Sequence, residues 1–157
     1  MTSESHFEIR EEDLSHRQVL ALLAYHLEQM ERISPEGNFN ALPEVRLREP
    51  DVTCWSIWEG QTLCGLFALK QLAADHGEVK SLRTAPGQEG RGIGTVMLRH
   101  LVEEARRRGY ERLSLETGRT EPYAAARALY EKHGFEPCPP FADYKDDGFS
   151  RCMTREV

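Results

Sequence analysis

The chain lacks a basic excess, a long apolar run and any closely paired cysteines, and each absence removes a class of function. Twenty Lys and Arg stand against 26 Asp and Glu, a net charge of −6. Nucleic-acid binders ordinarily carry a basic excess, so nucleic acid is not expected as a partner. No apolar stretch approaches the ~18 residues of a membrane span, and Met1 to His6 is polar where a signal peptide would be basic and then apolar. No membrane partner and a cytoplasmic location are therefore expected. Cys54, Cys64, Cys138 and Cys152 show no CxxC spacing, and no nearby His completes a zinc pattern. Reduced, mostly buried thiols and no metal follow. Internal repeats, linkers and low-complexity tracts are also missing, so the 157 residues suit a single domain, 1–157.

What is present is an ordinary globular mixture, 39% hydrophobic and 29% charged, able to form a core without staples. The charge is uneven. Residues 1–75 hold 6 basic and 13 acidic side chains, and residues 76–157 hold 14 and 13, so a phosphate-bearing ligand should prefer the second half.

Local patterns predict a mixed α/β order. Phe7 to Arg10 alternates as a short strand. Asp13 or Ser15 could cap a helix in which Leu14, Val19, Leu22, Leu23, His26, Leu27 and Met30 recur at helical spacing. Ser34 to Asn38 breaks it, and Ala41 to Arg48 suits a short second helix. Cys54 to Trp58 and Leu63 to Gln71 read as a hairpin turned at Glu59-Gly60-Gln61. Glu78 to Thr84 is a central strand ended by Pro86-Gly87. A strong amphipathic helix follows, with Ile93, Val96, Met97, Leu101 and Ala105 on its apolar stripe and Arg99, Glu103, Glu104 and Arg107 off it. Tyr110 to Thr117 is a strand, Tyr123 to His133 a helix stopped by Gly134, and Phe135 opens a sixth strand. Pro137 to Pro140 breaks the chain before a closing strand at Ser150 to Thr154.

Gly90-Arg91-Gly92-Ile93-Gly94 lies between a strand and that strong helix. Glycines there allow a tight turn and close approach of a ligand, while the free N–H groups of the helix start suit a pyrophosphate. The loop is not a dinucleotide fingerprint, because Met97 stands where the third glycine belongs, and it has no Walker lysine. Taken alone it leaves a plain tight turn as an open alternative.

The wider context resembles a known family. From Glu78 to Tyr130 the chain is similar to the GNAT acetyltransferase superfamily, whose acetyl-CoA signature is Q/R-x-x-G-x-G/A. That signature falls on Glu89-Gly90-Arg91-Gly92-Ile93-Gly94, followed by Thr95, with Glu89 where Gln or Arg is usual and Gln88 one residue early. Glu89 is expected to point outward or to use only its backbone. A second mark, A-x-x-L-Y-x-x-x-G-F, falls on Ala126 to Phe135, with Tyr123 where the family often has Asn against the cofactor arm. Fragments such as Gly77 to Thr84, Leu115 to Gly118 and Phe141 to Tyr144 resemble a YsnE-like bacterial subset.

The resemblance implies the GNAT fold, a mixed, mostly antiparallel sheet of six or seven strands flanked by about four helices. It implies acetyl-CoA as cosubstrate and direct transfer in a ternary complex to a primary amine on a small molecule or peptide. Oligomeric state is left open, a homodimer being one option. Tyr130 becomes the candidate acid, protonated at its reference pKa of ~10, with a packed core tyrosine as the alternative. Glu78 is the candidate base and Glu116 its rival, either being otherwise a solvated strand-end carboxylate. A backbone N–H near Leu82 is the expected oxyanion donor, with Arg83 and Thr84 on the same cofactor-facing stretch. Candidate acceptor contacts are His26, Lys80, Arg83, Thr117 and Tyr144. His26 falls on an apolar stripe, where a satisfied core histidine is the competing reading. Lys80 and Arg83 are three apart on one strand, so plain alternation puts them on opposite faces; an acceptor carboxylate would suit either cation. A CoA-binding regulatory or interaction domain with little catalysis is the second reading, which the departures at Glu89 and Tyr123 would permit.

Overall fold

The structure, a computed structural model, describes residues 6–34 and 43–157. A seven-stranded sheet runs in the order β1-β2-β3-β4-β5-β7-β6. Its strands are β1 (Glu8–Glu12), β2 (Val52–Glu59), β3 (Thr62–Ala73), β4 (His76–Thr84), β5 (Arg112–Gly118), β6 (Glu136–Pro137) and β7 (Ser150–Glu156). Four helices accompany it: α1 (Arg17–Ile33), α2 (Glu44–Leu47), α3 (Ile93–Arg107) and α4 (Ala124–Lys132). Every strand pairing is antiparallel except β4 with β5. This is the sheet and helix complement that the resemblance implies.

The two apolar faces of the sheet are covered separately. One core is built on α3, with Ile93, Met97, Leu98, Leu101 and Ala105 packed on Phe67, Leu69, Leu113 and Leu115. The other is built on α1, with Val19, Leu22 and Leu23 packed with Leu47, Trp58 and Leu66. Burial of these stripes holds the helices in place, since propensity alone is a weak support.

Several local expectations change. Helix α1 is capped by His16, whose Nδ1 accepts from the Gln18 N–H at 3.1 Å, rather than by Asp13 or Ser15. Asp13 instead accepts both the N–H and the hydroxyl of Ser15, a local turn that competes with capping. Residues 35–42 lie outside the described part, and with them most of the predicted break and the start of the second helix; Glu44–Leu47 is helical. The helix predicted from Tyr123 begins with a 3₁₀ turn, Glu121–Tyr123. Pro137, expected in a break, pairs with Met153 on the outermost strand, where its missing N–H costs no ladder bond. Glu104, expected on the polar face of α3, is 8% exposed and receives Arg107 and Arg108 at 2.6 and 2.7 Å.

Two irregularities of β4 position the site. Beside β5 the pairing runs only from His76↔Arg112 to Glu78↔Ser114 and then stops. Beside β3 the register passes from Leu66↔Arg83 to Ala68↔Lys80, so three steps on β4 oppose two on β3. The extra residue is accommodated at Ser81, whose φ is +53°, as in a β-bulge. Lys80 and Arg83 therefore line the same cleft, and their expected placement on opposite faces is corrected.

Candidate active site

Where β4 parts from β5 a cleft of about 510 Å³ opens. Beta-strand residues from both sides line it, together with the C-terminal half of α1 and one face of α4. The cleft gathers Glu78, Lys80, Leu82, Arg83 and Thr84 from β4, Glu116 and Thr117 from β5, Tyr123, Ala126 and Tyr130 from α4 and its leading turn, and His26 and Tyr144. From the glycine loop it takes Glu89 and Gly94.

The loop itself is shaped for close approach. Gly90 and Gly92 have φ of +78° and +79°, the left-handed region that glycine enters without strain. A Cβ at Gly90 would meet nothing within 4 Å, so the ledge is open. Gly92 caps α3 with no side-chain hydrogen bond and no acidic residue follows in the first turn. These free N–H groups, with the positive end of the α3 dipole behind them, suit a pyrophosphate. Gly94 has another duty, because a Cβ there would stand 3.0 Å from Leu129 Cδ2, so it lets α3 and α4 approach.

A family comparison joins the two halves of this geometry. The model of the GNAT acetyltransferase family matches residues 17–135. The chain belongs to the GNAT acetyltransferase family. It is 47% identical to an uncharacterised N-acetyltransferase, YsnE of Bacillus subtilis (strain 168), over 95% of this chain and 99% of that one. It is 48% identical to a second uncharacterised N-acetyltransferase, YedL of Escherichia coli (strain K12), over 94% and 93%. Among solved structures, a GNAT family acetyltransferase from Elizabethkingia anophelis with acetyl-CoA bound has a TM-score of 0.73 at 16% identity, over 98% of this chain and 99% of that one.

Within this GNAT cleft the charged groups form two clusters. In the first, Glu78 is 2% exposed, not a solvated strand-end carboxylate. Its Oε2 accepts from Tyr144 Oη at 2.5 Å and faces Lys80 Nζ at 3.1 Å. Lys80 Nζ also donates to Tyr144 Oη at 2.6 Å. Burial, followed by the neighbouring Glu78 charge and hydrogen bond, pushes the Tyr144 hydroxyl well above its ordinary value, so it keeps its proton. Glu116, the rival carboxylate, lines the same cleft and is half-buried.

In the second cluster, Arg83 Nε donates to His26 Nδ1 at 2.9 Å. His26 is 5% exposed. Burial first, and the Arg83 charge second, push its pKa down to about 3. The imidazole is therefore neutral at physiological pH, with Nδ1 as acceptor and the proton on Nε2. The satisfied-histidine reading holds, with the addition that its partner reaches into the cleft.

Tyr130 is buried, and burial pushes its pKa up to about 12. Tyr123, which stands where the family often has Asn, shares a hydrogen bond with Ser34 Oγ at 2.6 Å and so ties the end of α1 to the start of α4.

Other expected contacts are directed elsewhere. Arg91 binds both carboxylate oxygens of Glu59, at 2.9 and 2.8 Å, and Gln88 Oε1 at 2.6 Å. That removes the Arg91 and Gln88 side chains from the cleft. Ile93 is a core residue of α3, and Thr95 Oγ1 meets His133 Nε2 at 3.2 Å. Glu89 is exposed, as expected, but still borders the cleft mouth. Sequence reasoning missed Ser34, Ser81, Met30, Leu129 and Phe149, all of which line the cleft. Met30 and Ser34 follow His26 at steps of four, a helical signal that was available. Phe149 and Ser81 carry no such periodic mark.

Proposed function

We propose that this GNAT protein transfers the acetyl group of acetyl-CoA to a primary amine by direct attack in a ternary complex. The observation that carries this reading is the parting of β4 from β5 immediately after Glu78, with buried Glu78 and buried Tyr130 lining one cleft. Acetyl-CoA, when bound, supplies the acyl thioester: the acceptor nitrogen takes the acetyl carbon, the C–S bond breaks and the sulfur departs as a thiol. The free β5-facing edge of β4 from Val79 to Thr84, the loop around Gly90 and Gly92, and Ala126 are the residues that would hold it.

Each proton has a candidate carrier. Glu78 takes the first proton of an ammonium acceptor, directly or through Tyr144, which already donates to Glu78 Oε2, and the second nitrogen proton, shed after attack, replaces the one that Tyr130 gives to the sulfur. Tyr130 keeps its own proton at neutral pH because burial raises its pKa, and it gives that proton to the departing sulfur. A covalent cysteine route has no support. None of the four cysteines lines the cleft, and burial leads the causes that push the Cys54 and Cys152 thiols to about 12 and about 11.

The test is the pH profile of kcat/KM for Glu78→Gln and Glu116→Gln. Removing the true base should depress the rate most near neutral pH, with recovery at high pH where free amine is abundant. Rescue is expected for Glu78→Gln, and a uniform loss for Glu116→Gln. Rescue in Glu116→Gln alone would reverse the roles, and rescue in neither would remove a catalytic glutamate from the mechanism.

A further inference from the structure

The two cations of the cleft differ in one respect that bears on the acceptor. Lys80 stands 3.1 Å from the Glu78 carboxylate, so its charge is balanced inside the protein. Arg83 has no carboxylate at ion-pair distance among the described residues. Its Nε is used by neutral His26, and its guanidinium lies 5.9 Å from the Tyr25 ring centroid. Burial pushes the Arg83 pKa down, and the opposing influences of Tyr25, Tyr130, Tyr123 and, last, the exposed Glu89 at the cleft mouth do not offset it. A half-buried cation without a close counter-charge is costly and is completed by an anionic ligand.

The direction of Arg83 narrows what that ligand is. Leu82 packs against the core under α3, the helix that carries the glycine loop. Arg83, next along the strand, reaches to His26 of α1 on the other face. Arg83 thus faces the α1 side of a cleft that also takes in Glu89 and Gly94 of the glycine loop, and an anion seated beside α1 meets its guanidinium. With Nε held by His26, the two terminal nitrogens are left as a fork, a geometry that matches the two oxygens of a carboxylate.

We propose that Arg83, oriented by His26, binds a carboxylate of the acceptor, so that the acceptor class is amines that also carry a carboxylate. This rests on the acetyl-transfer reading above. His26 acts as a positioning residue, and Arg83 as a specificity-determining one.

The test uses matched acceptors in which only the carboxylate differs: α-, β- and γ-amino acids, each against the amine of the same skeleton or the corresponding amide. CoA thiol release gives kcat and KM. Wild type should prefer the carboxylate member by on the order of 10- to 100-fold in kcat/KM, mainly through KM, the worth of charged hydrogen bonds. Arg83→Met should reduce that preference to about twofold or less, and Arg83→Lys, a point charge without the fork, should retain part of it. Equal use of both members by wild type, or an undiminished preference in Arg83→Met, overturns the proposal while acetyl transfer stands. A loss confined to CoA affinity assigns Arg83 to the cosubstrate and also overturns it.

A second measurement needs no turnover. N-acetyl amino acids are titrated into ¹⁵N-labelled protein with CoA present, which reports folding of each variant as well. Saturable shifts around His26 and Arg83 in wild type, weakened tenfold or more in the variants, support the carboxylate site even if no acceptor is turned over. Their absence in wild type overturns it. Acceptor-independent thiol release with every pair would sink the transfer reading instead.

Discussion

His26 offers a measurement of the cleft's electrostatics that does not depend on knowing the acceptor. Its folded pKa of about 3 lies well below the ordinary histidine value of about 6.5. Below pH 6.5 the unfolded chain binds a proton at this residue that the folded chain does not, so stability must rise with pH across this window. His26 destabilises nothing above its unfolded pKa, and stability is lost as pH falls from there towards the folded pKa. Going from pH 7 to pH 5, linkage gives a loss of about 2 kcal/mol from this one residue. The perturbation is His26→Asn, whose side-chain oxygen can still accept from Arg83 Nε but does not titrate. Urea denaturation at a series of pH values yields the two stability curves. The variant's stability should fall less than wild type's between pH 7 and pH 5, by about that 2 kcal/mol. Parallel curves would mean that the imidazole is not held neutral, and the paired Arg83–His26 arrangement would lose its support. Arg83→Met should lie between the two, since burial is the larger cause and the Arg83 charge the smaller.

Three further outcomes test other parts of the cleft. Gly92→Glu should abolish acetyl-CoA binding by calorimetry in a folded protein, through left-handed strain at φ +79° and a charge beside phosphates, while Gly92→Ala separates strain from charge; unchanged affinity in Gly92→Glu would end the loop reading. Tyr130→Phe should slow single-turnover chemistry by ~10²-fold or more with CoA affinity retained, and an unchanged rate would make it a packing residue. Gly118→Ala places a methyl 2.4 Å from Tyr123 Cδ2, so it should lower stability by about 1–3 kcal/mol in thermal or urea unfolding; a neutral result would mean that Tyr123 moves away freely.

Much of this architecture was legible because apolar periodicity and glycine punctuation are local signals. The stripe of α3, the hairpin turned at Gly60 and the left-handed glycines before α3 all appear where the residues imply. Contacts set by non-local partners were not legible. Arg91 sits in a signature loop, yet Glu59, 32 positions earlier, captures it in a bidentate pair. Gly94 matches a ligand motif but also answers to Leu129 across a helix–helix contact. The burial of His26 could be read from its stripe, whereas its partner on β4 could not. Tyr144 was named only through a resembling fragment, because the stretch between β6 and β7 has no periodicity to follow. The relation of Lys80 to Arg83 failed for a specific reason: alternation assumes unbroken pairing, and nothing about a serine at position 81 announces a bulge.

That bulge and the parting from β5 act on the same strand and give it two separate properties. Parting leaves the β5-facing edge of β4 from Val79 to Thr84 without strand partners, which a ligand with amide groups could use. The bulge changes which side chains face α1. In regular alternation with Glu78 and Lys80, position 82 would face α1 and position 83 would enter the core under α3. The arrangement would then bury a guanidinium among Met97, Leu98 and Leu101 and expose leucine to the cleft. One extra residue at Ser81 reverses this, so that Leu82 packs inward and Arg83 meets His26. A non-glycine residue held at φ +53° costs on the order of 1 kcal/mol or more. Pairing with β3 on both sides of Ser81 holds that conformation, because straightening the strand would force the guanidinium into the apolar core at a larger cost. The charge pattern of the cleft is therefore fixed by backbone geometry and core packing together.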